Sequence, residues 1–184
     1  MTLLNEQVQA HFTMRKLLLE FGDASRRVVV QLQYHSWPDH GAPQRPTGLL
    51  QFVRRASQIH LAADSNSSEL VVKETTNEPV LVHCSAGSGR TGCFIVLDWM
   101  LRLADDEGIL DIYSTVRELR QKRVNMVQTL EQYKFLHDAL LEAILCGETT
   151  VQKEHIGKYH SVRIRLNPFL SRTLRNTDHT CTAD

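Results

Sequence analysis

One short stretch constrains this chain more than any other: Val80-Leu81-Val82-His83-Cys84-Ser85-Ala86-Gly87-Ser88-Gly89-Arg90-Thr91-Gly92, an apolar run that ends in a cysteine and crosses a glycine-spaced loop. Pro79 to Val82 has the pattern of a buried strand, and Cys93 to Leu103 is long and apolar enough for a mostly buried helix. Gly87 and Gly89 permit backbone angles closed to other residues, so successive N–H groups in Ser85, Ala86, Gly87, Ser88 and Gly89 can face one point, at which the helix N-terminus also aims. A phosphate-sized dianion fits there. Arg90 adds a planar fork of donors suited to two phosphate oxygens, which puts Cys84 under the phosphorus. The same dipoles favour the thiolate and are expected to lower the Cys84 pKa from roughly 8.5 into the range of about 3.5 to 7.5.

At 184 residues the chain has room for one domain with its own core. Lys plus Arg and Asp plus Glu each number 21, so no net field draws it to nucleic acid or to an anionic membrane surface, and anion binding must be local. Cys84, Cys93, Cys146 and Cys181 show neither metal-ligand spacing nor the density of a disulfide framework, which points to a reducing compartment. Met1 to Ala10 lacks the features of a signal peptide, and no run approaches the roughly 18 apolar residues of a transmembrane segment. A soluble chain is expected.

His11 to Glu20 and Arg27 to Tyr34 read as the strands of a hairpin, with turn residues at Gly22 to Ser25. The second strand leads into Trp37-Pro38-Asp39-His40-Gly41-Ala42-Pro43, an irregular turn that leaves a carboxylate beside a bulky aromatic. Thr47 to Ala63 has apolar residues at helical spacing, and Asp64 to Glu78 reads as a surface loop.

Beyond the cysteine loop, His83 ends the strand and points away from the thiol, so it reads as a residue that tunes the loop through hydrogen bonds. Two roles are open for Thr91: a hydroxyl donor to the sulfur, or a helix cap. Cys93 reads as core. Asp111 to Lys122 forms a second helix, whose Arg117, Arg120, Lys122 and Arg123 read as a solvated face. A third opens at Met126 and runs to Cys146, with Gly147 as its C-cap and Gln128 and Gln132 on one face. Glu148 to Asp184 has weak periodicity and reads as a linker or the start of a following region.

The run from His83 to Gly92 resembles the signature of the cysteine-dependent protein tyrosine phosphatases. Trp37-Pro38-Asp39 resembles that family's mobile acid loop, and Gln128-Thr129-Leu130-Glu131-Gln132 its glutamine element, in the family's order along the chain. The resemblance implies an α/β fold with a mixed central sheet flanked by helices, residues 1–147 forming a partial catalytic domain whose N-terminal part is missing. It implies Cys84 as nucleophile, Arg90 as phosphate ligand, Asp39 as general acid, Trp37 as hinge anchor and Thr91 as the donor that stabilises the sulfur. Gln128 would orient the hydrolytic water, with Gln132 as its second, and Ser85 to Gly89 would bind the phosphoryl group. Segments such as Glu107 to Tyr113 and Arg123 to Thr129 look like the membrane-proximal domain of receptor-type phosphatases, especially the class with MAM-containing ectodomains.

The match covers about Phe12 to Gly147, the rear of the family's domain. The family's phosphotyrosine-recognition loop would precede Phe12. The implied substrates are phosphotyrosine proteins, with no metal or organic cofactor, a cytoplasmic setting as the intracellular part of a single-pass receptor, and a tandem second phosphatase domain as a partner. Two rival readings remain. An incomplete domain that keeps the anion cradle without turnover would bind phosphotyrosine or a partner domain, whereas a metal or thiol-redox site has no Cys-x-x-Cys or His/Cys quartet to build on.

Overall fold

The computed structural model describes residues 1–22, 25–39, 41–62 and 79–147. Strands β1 (Thr2–Val8), β2 (Phe12–Phe21) and β3 (Ser25–Tyr34) are followed by helices α1 (Thr47–Ala62), α2 (Gly89–Glu107), α3 (Ile112–Lys122) and α4 (Leu130–Cys146). The expected hairpin is β2–β3, antiparallel from Phe12 opposite Tyr34 to Phe21 opposite Ser25. β1, which no sequence signal marked, pairs antiparallel with β2 and has every residue exposed.

The core is helical. Cys93, Val96, Leu97 and Met100 of α2 are fully buried, enclosed by Leu49, Leu50 and Val53 of α1, Ile112 and Val116 of α3, and Phe135, Leu136, Ala139 and Leu140 of α4. The apolar continuity of α2 in sequence therefore reflects neighbours on several sides. A line of rings joins the sheet to this core: Phe12 and Tyr34 meet Phe52 at centroid distances of 5.6 and 5.4 Å, and Phe52 meets Phe94 at 5.6 Å. Because Tyr34 ends β3, these contacts fix where the chain enters the Trp37–Asp39 turn.

Local chemistry sets the helix ends. The Asp111 carboxylate accepts from the Ser114 N–H at 2.9 Å and caps α3. At α4, Thr129 accepts from the Gln132 N–H while the Gln132 side chain accepts from the Thr129 N–H, a capping box. Helix α2 stops at Gly108, whose φ of 70° lies in the left-handed region.

Two expectations change. The α/β class holds, but the sheet among the described residues is antiparallel throughout instead of mixed. Pro79 to Val82, expected as a buried strand, pairs with no strand among the described residues, and Val80 and Leu81 are 54% and 88% exposed. A β-branched run becomes a strand only where another strand supplies hydrogen-bond partners, which local sequence cannot guarantee. The segments read as a surface loop, 64–78, and as a linker, 148–184, lie outside the described residues, as does residue 63.

These burials predict a contrast measurable by chemical denaturation. Leu97→Ala is expected to cost about 2–5 kcal/mol by opening a cavity in the helical core. Leu81→Ala, at an exposed site, should stay within about 0.5 kcal/mol, and a large loss there would mean that Leu81 is buried after all.

Candidate active site

Cys84 sits where the extended segment meets the loop. Thr91 Oγ1 donates to its sulfur at 3.2 Å, and the N–H groups of Gly87, Ser88 and Thr91 also point at the thiol. Burial pushes the pKa of Cys84 up, but the Thr91 hydroxyl and these N–H groups together outweigh it and bring the thiol down to about 7. Gly87 makes the turn with φ of 65°. Thr91 lies inside α2 and does not cap it, since the N-cap position is Ser88. Cys93 behaves as core: burial, followed by the nearby Cys84, pushes its thiol up to about 12.

The acid turn reaches this loop through Arg90. Arg90 Nη2 donates to the Pro38 carbonyl at 3.1 Å, and its guanidinium carbon lies 5.8 Å from the Trp37 ring centroid. Trp37 closes the turn on itself, donating from Nε1 to the Gly41 carbonyl at 3.2 Å, and its ring rests 6.1 Å from that of Phe135 on α4. Asp39, next to Pro38, is exposed.

The glutamine segment is pressed against the start of α2. A Cβ on Gly92 would lie 2.4 Å from the Val127 nitrogen, and one on Gly89 would lie 2.9 Å from both side-chain polar atoms of Gln132 and 3.3 Å from Gln128 Cβ. At Gly92, where backbone stands in the way, only glycine admits this approach. The Gln132 Oε1 accepts from the Gln128 N–H at 2.8 Å as well as from the Thr129 N–H, so its carbonyl is committed to the cap, while the Gln128 residue remains exposed.

The acid turn, the cysteine loop and the glutamine segment are thus contiguous. The protein family described as Protein-tyrosine phosphatase matches residues 1–142. The chain belongs to this family. It is 43% identical over 171 residues to receptor-type tyrosine-protein phosphatase U of Gallus gallus, an alignment covering 91% of the chain and 11% of that protein. It is 44% identical over 156 residues to tyrosine-protein phosphatase Lar of Drosophila melanogaster, covering 84% and 7% respectively. With receptor-type tyrosine-protein phosphatase F of Mus musculus the identity is 44% over 151 residues, covering 82% and 7%. The chain therefore spans about a tenth or less of the length of these relatives. The family match begins at residue 1, ahead of the expected start at Phe12, and stops short of Gly147. No helix among the described residues is long and apolar enough to cross a membrane.

Three expectations are corrected. Gln128 and Gln132 do not share a helical face, because α4 begins at Leu130 and Gln128 lies before its cap. His83 is exposed and makes no hydrogen bond among the described residues. The arginines in and just after α3 are more than a solvated face. Arg120 donates from Nε to the Met126 carbonyl at 3.0 Å and from Nη2 to the Val127 carbonyl at 2.7 Å, and Arg123 donates from Nη2 to the Ala86 carbonyl at 2.9 Å. Asn125 and Val127 hold φ of 60° and 58°, and a left-handed β-branched residue is strained. The legible signal was the non-periodic Val124-Asn125-Met126-Val127, whose carbonyls needed donors, with two arginines close by in sequence.

Two measurements follow. Alkylation of Cys84 by iodoacetate should be half-maximal near pH 7, and Thr91→Ala should move that midpoint up; a midpoint at the ordinary thiol value in the unmutated chain would contradict the donor geometry. Because the folded pKa lies below that of an ordinary free thiol, thiolate formation stabilises the fold above the ordinary thiol range, and this contribution is lost as pH falls through about 7. Gly92→Ala should cost at least about 1–3 kcal/mol in denaturant titration, since its methyl group has backbone and not a flexible side chain in its way.

Proposed function

We propose that this chain carries the catalytic chemistry of a protein tyrosine phosphatase, hydrolysing phosphotyrosine in proteins through a phosphocysteine intermediate. The observation that supports it most is the set of donors on Cys84: the Thr91 hydroxyl and three backbone N–H groups around a thiol whose pKa is about 7. A thiol held this way is substantially ionised at neutral pH and faces groups able to bind anionic oxygens.

In the first step the Cys84 thiolate attacks phosphorus and the P–O bond to the tyrosyl oxygen breaks. The loop N–H groups of Ser85 to Gly89 and the Arg90 fork hold the equatorial oxygens, and Asp39 gives its proton to the departing phenolate. Phenolate is a poor leaving group, so a positioned acid matters most for substrates such as phosphotyrosine. In the second step Gln128 orients a water, Asp39 accepts its proton, the S–P bond breaks and inorganic phosphate leaves. Thr91 stabilises the sulfur as it regains its charge. Gln132, whose carbonyl oxygen serves the α4 cap, acts by holding Gln128 in place. The Arg90 bond to Pro38 gives one guanidinium two tasks, binding phosphate and docking the acid turn.

The family relationship to receptor-type phosphatases favours a cytoplasmic setting, as the intracellular part of a single-pass receptor, with phosphotyrosine proteins as substrates and a second phosphatase domain as a tandem partner. The test is steady-state hydrolysis of a phosphotyrosine peptide by the full chain. Cys84→Ser should abolish turnover, and Asp39→Asn should lower kcat by about 10²–10⁴-fold. Turnover that survives Cys84→Ser would sink the proposal. Phosphate protection against unfolding without any hydrolysis would replace it with a phosphate-binding role.

A further inference from the structure

The acid turn leaves the sheet and returns to the helical body at a single side chain. His11 lies just before β2, and its carbonyl accepts from the His35 N–H at 3.0 Å. Its Nδ1 is 3.1 Å from Oγ of Ser36, the residue before Trp37. On the other side of the turn, the Pro46 carbonyl accepts from the Leu50 N–H at 2.9 Å as α1 begins, and the second residue of α1 is Gly48. The His11 ring lies flush against Gly48: a Cβ there would be 2.8, 2.9 and 3.0 Å from Cγ, Cδ2 and Nδ1. Gly48 is buried and its φ lies outside the left-handed region, so glycine is needed there for space and not for backbone freedom. One half-buried imidazole therefore touches Ser36, just before the acid turn, and Gly48, two residues past its end.

We propose that His11 is a positioning residue for the general acid. Its bond to Ser36 and its contact with Gly48 hold both ends of the Trp37–Pro46 segment at a fixed separation, and this governs how the turn presents Asp39 to the leaving group. The link to catalysis rests on the phosphatase function proposed above, whereas the mechanical link rests on the geometry alone. Between its two ends the segment has further holds, Arg90 on Pro38 and Trp37 on Gly41, so removing His11 should loosen the turn without dissolving it. The helical core contains neither His11 nor Gly48, so α2 to α4 should be indifferent to the change.

The experiment compares the full chain with His11→Ala, His11→Asn, Gly48→Ala and the His11→Ala/Gly48→Ala double variant. Amide hydrogen exchange of residues 35–46 should speed up by about tenfold or more in His11→Ala and Gly48→Ala, with exchange in α2 to α4 unchanged. His11→Asn keeps a polar atom near the position of Nδ1 and should restore most of the protection. The double variant should be no worse than His11→Ala, because the added methyl has no ring left to meet. In turnover, His11→Ala should lower kcat for an unactivated phenyl phosphate about tenfold more than for p-nitrophenyl phosphate, a part of what a general acid supplies, with KM little changed.

Unchanged exchange over 35–46 in His11→Ala overturns the proposal, as does a loss of protection spread equally over α2 to α4 or an equal loss of kcat on both phosphates. A wild-type chain without turnover removes the phosphatase reading and leaves the exchange data to decide the clamp.

Discussion

Glycine at position 92 lets the backbone around Val127 approach the first turn of α2 more closely than any side chain would allow, with the Val127 nitrogen 2.4 Å from where a Gly92 Cβ would stand. Much of the site depends on this contact. It brings Gln128 and Gln132 beside the loop that begins at Cys84, and it seats the start of α2, whose Thr91 hydroxyl and N–H reach the sulfur. A methyl group at Gly92 would separate the group proposed to orient water from the group proposed to carry phosphorus.

The approach has an internal cost. Val127 is fully buried with φ of 58°, a conformation that costs a β-branched residue on the order of 1–3 kcal/mol. Arg120 offsets it by donating to the Met126 and Val127 carbonyls, bonds to a charged donor worth about 1.5–3 kcal/mol each. The Gln128 N–H is taken by the Gln132 side chain, which belongs to the cap of α4. Strain at the glutamine segment is therefore held by one arginine from α3 and one side chain from α4. Arg123 repeats the device on the cysteine loop by binding the Ala86 carbonyl. A basic helix face that looked solvated has two of its guanidinium groups on the site's backbone.

Arg90 couples the remaining element. Its hydrogen bond to Pro38 and its position over Trp37 join the acid turn to the cysteine loop, while the line of rings Phe12, Tyr34, Phe52 and Phe94 determines where that turn departs from the sheet. The sheet thus serves the site from a distance: Tyr34 sets the start of the turn, and Trp37 rests on Phe135 of α4. Placement of Asp39 depends on both the hairpin and the helical core, which are far apart in sequence.

What the sequence determined by itself is what depends on neighbours along the chain. The β2–β3 hairpin follows from two apolar runs and a turn, α1 from its periodicity, the α3 cap from Asp111 three residues before Ser114, and the Cys84 environment from a glycine-spaced loop entering a helix. What only the tertiary structure decided depends on partners that no local pattern names. Pro79 to Val82 had the composition of a strand but no strand to pair with among the described residues, and β1 became a strand only because β2 offered an edge. Gln128 fell outside α4 because a capping box started that helix at Leu130. Arg120 and Arg123 turned to carbonyls that a strained segment and a tight loop left in want of donors. Hydrogen bonds within a turn of helix are fixed by spacing, whereas those across the fold go to whichever donors the packing brings within reach.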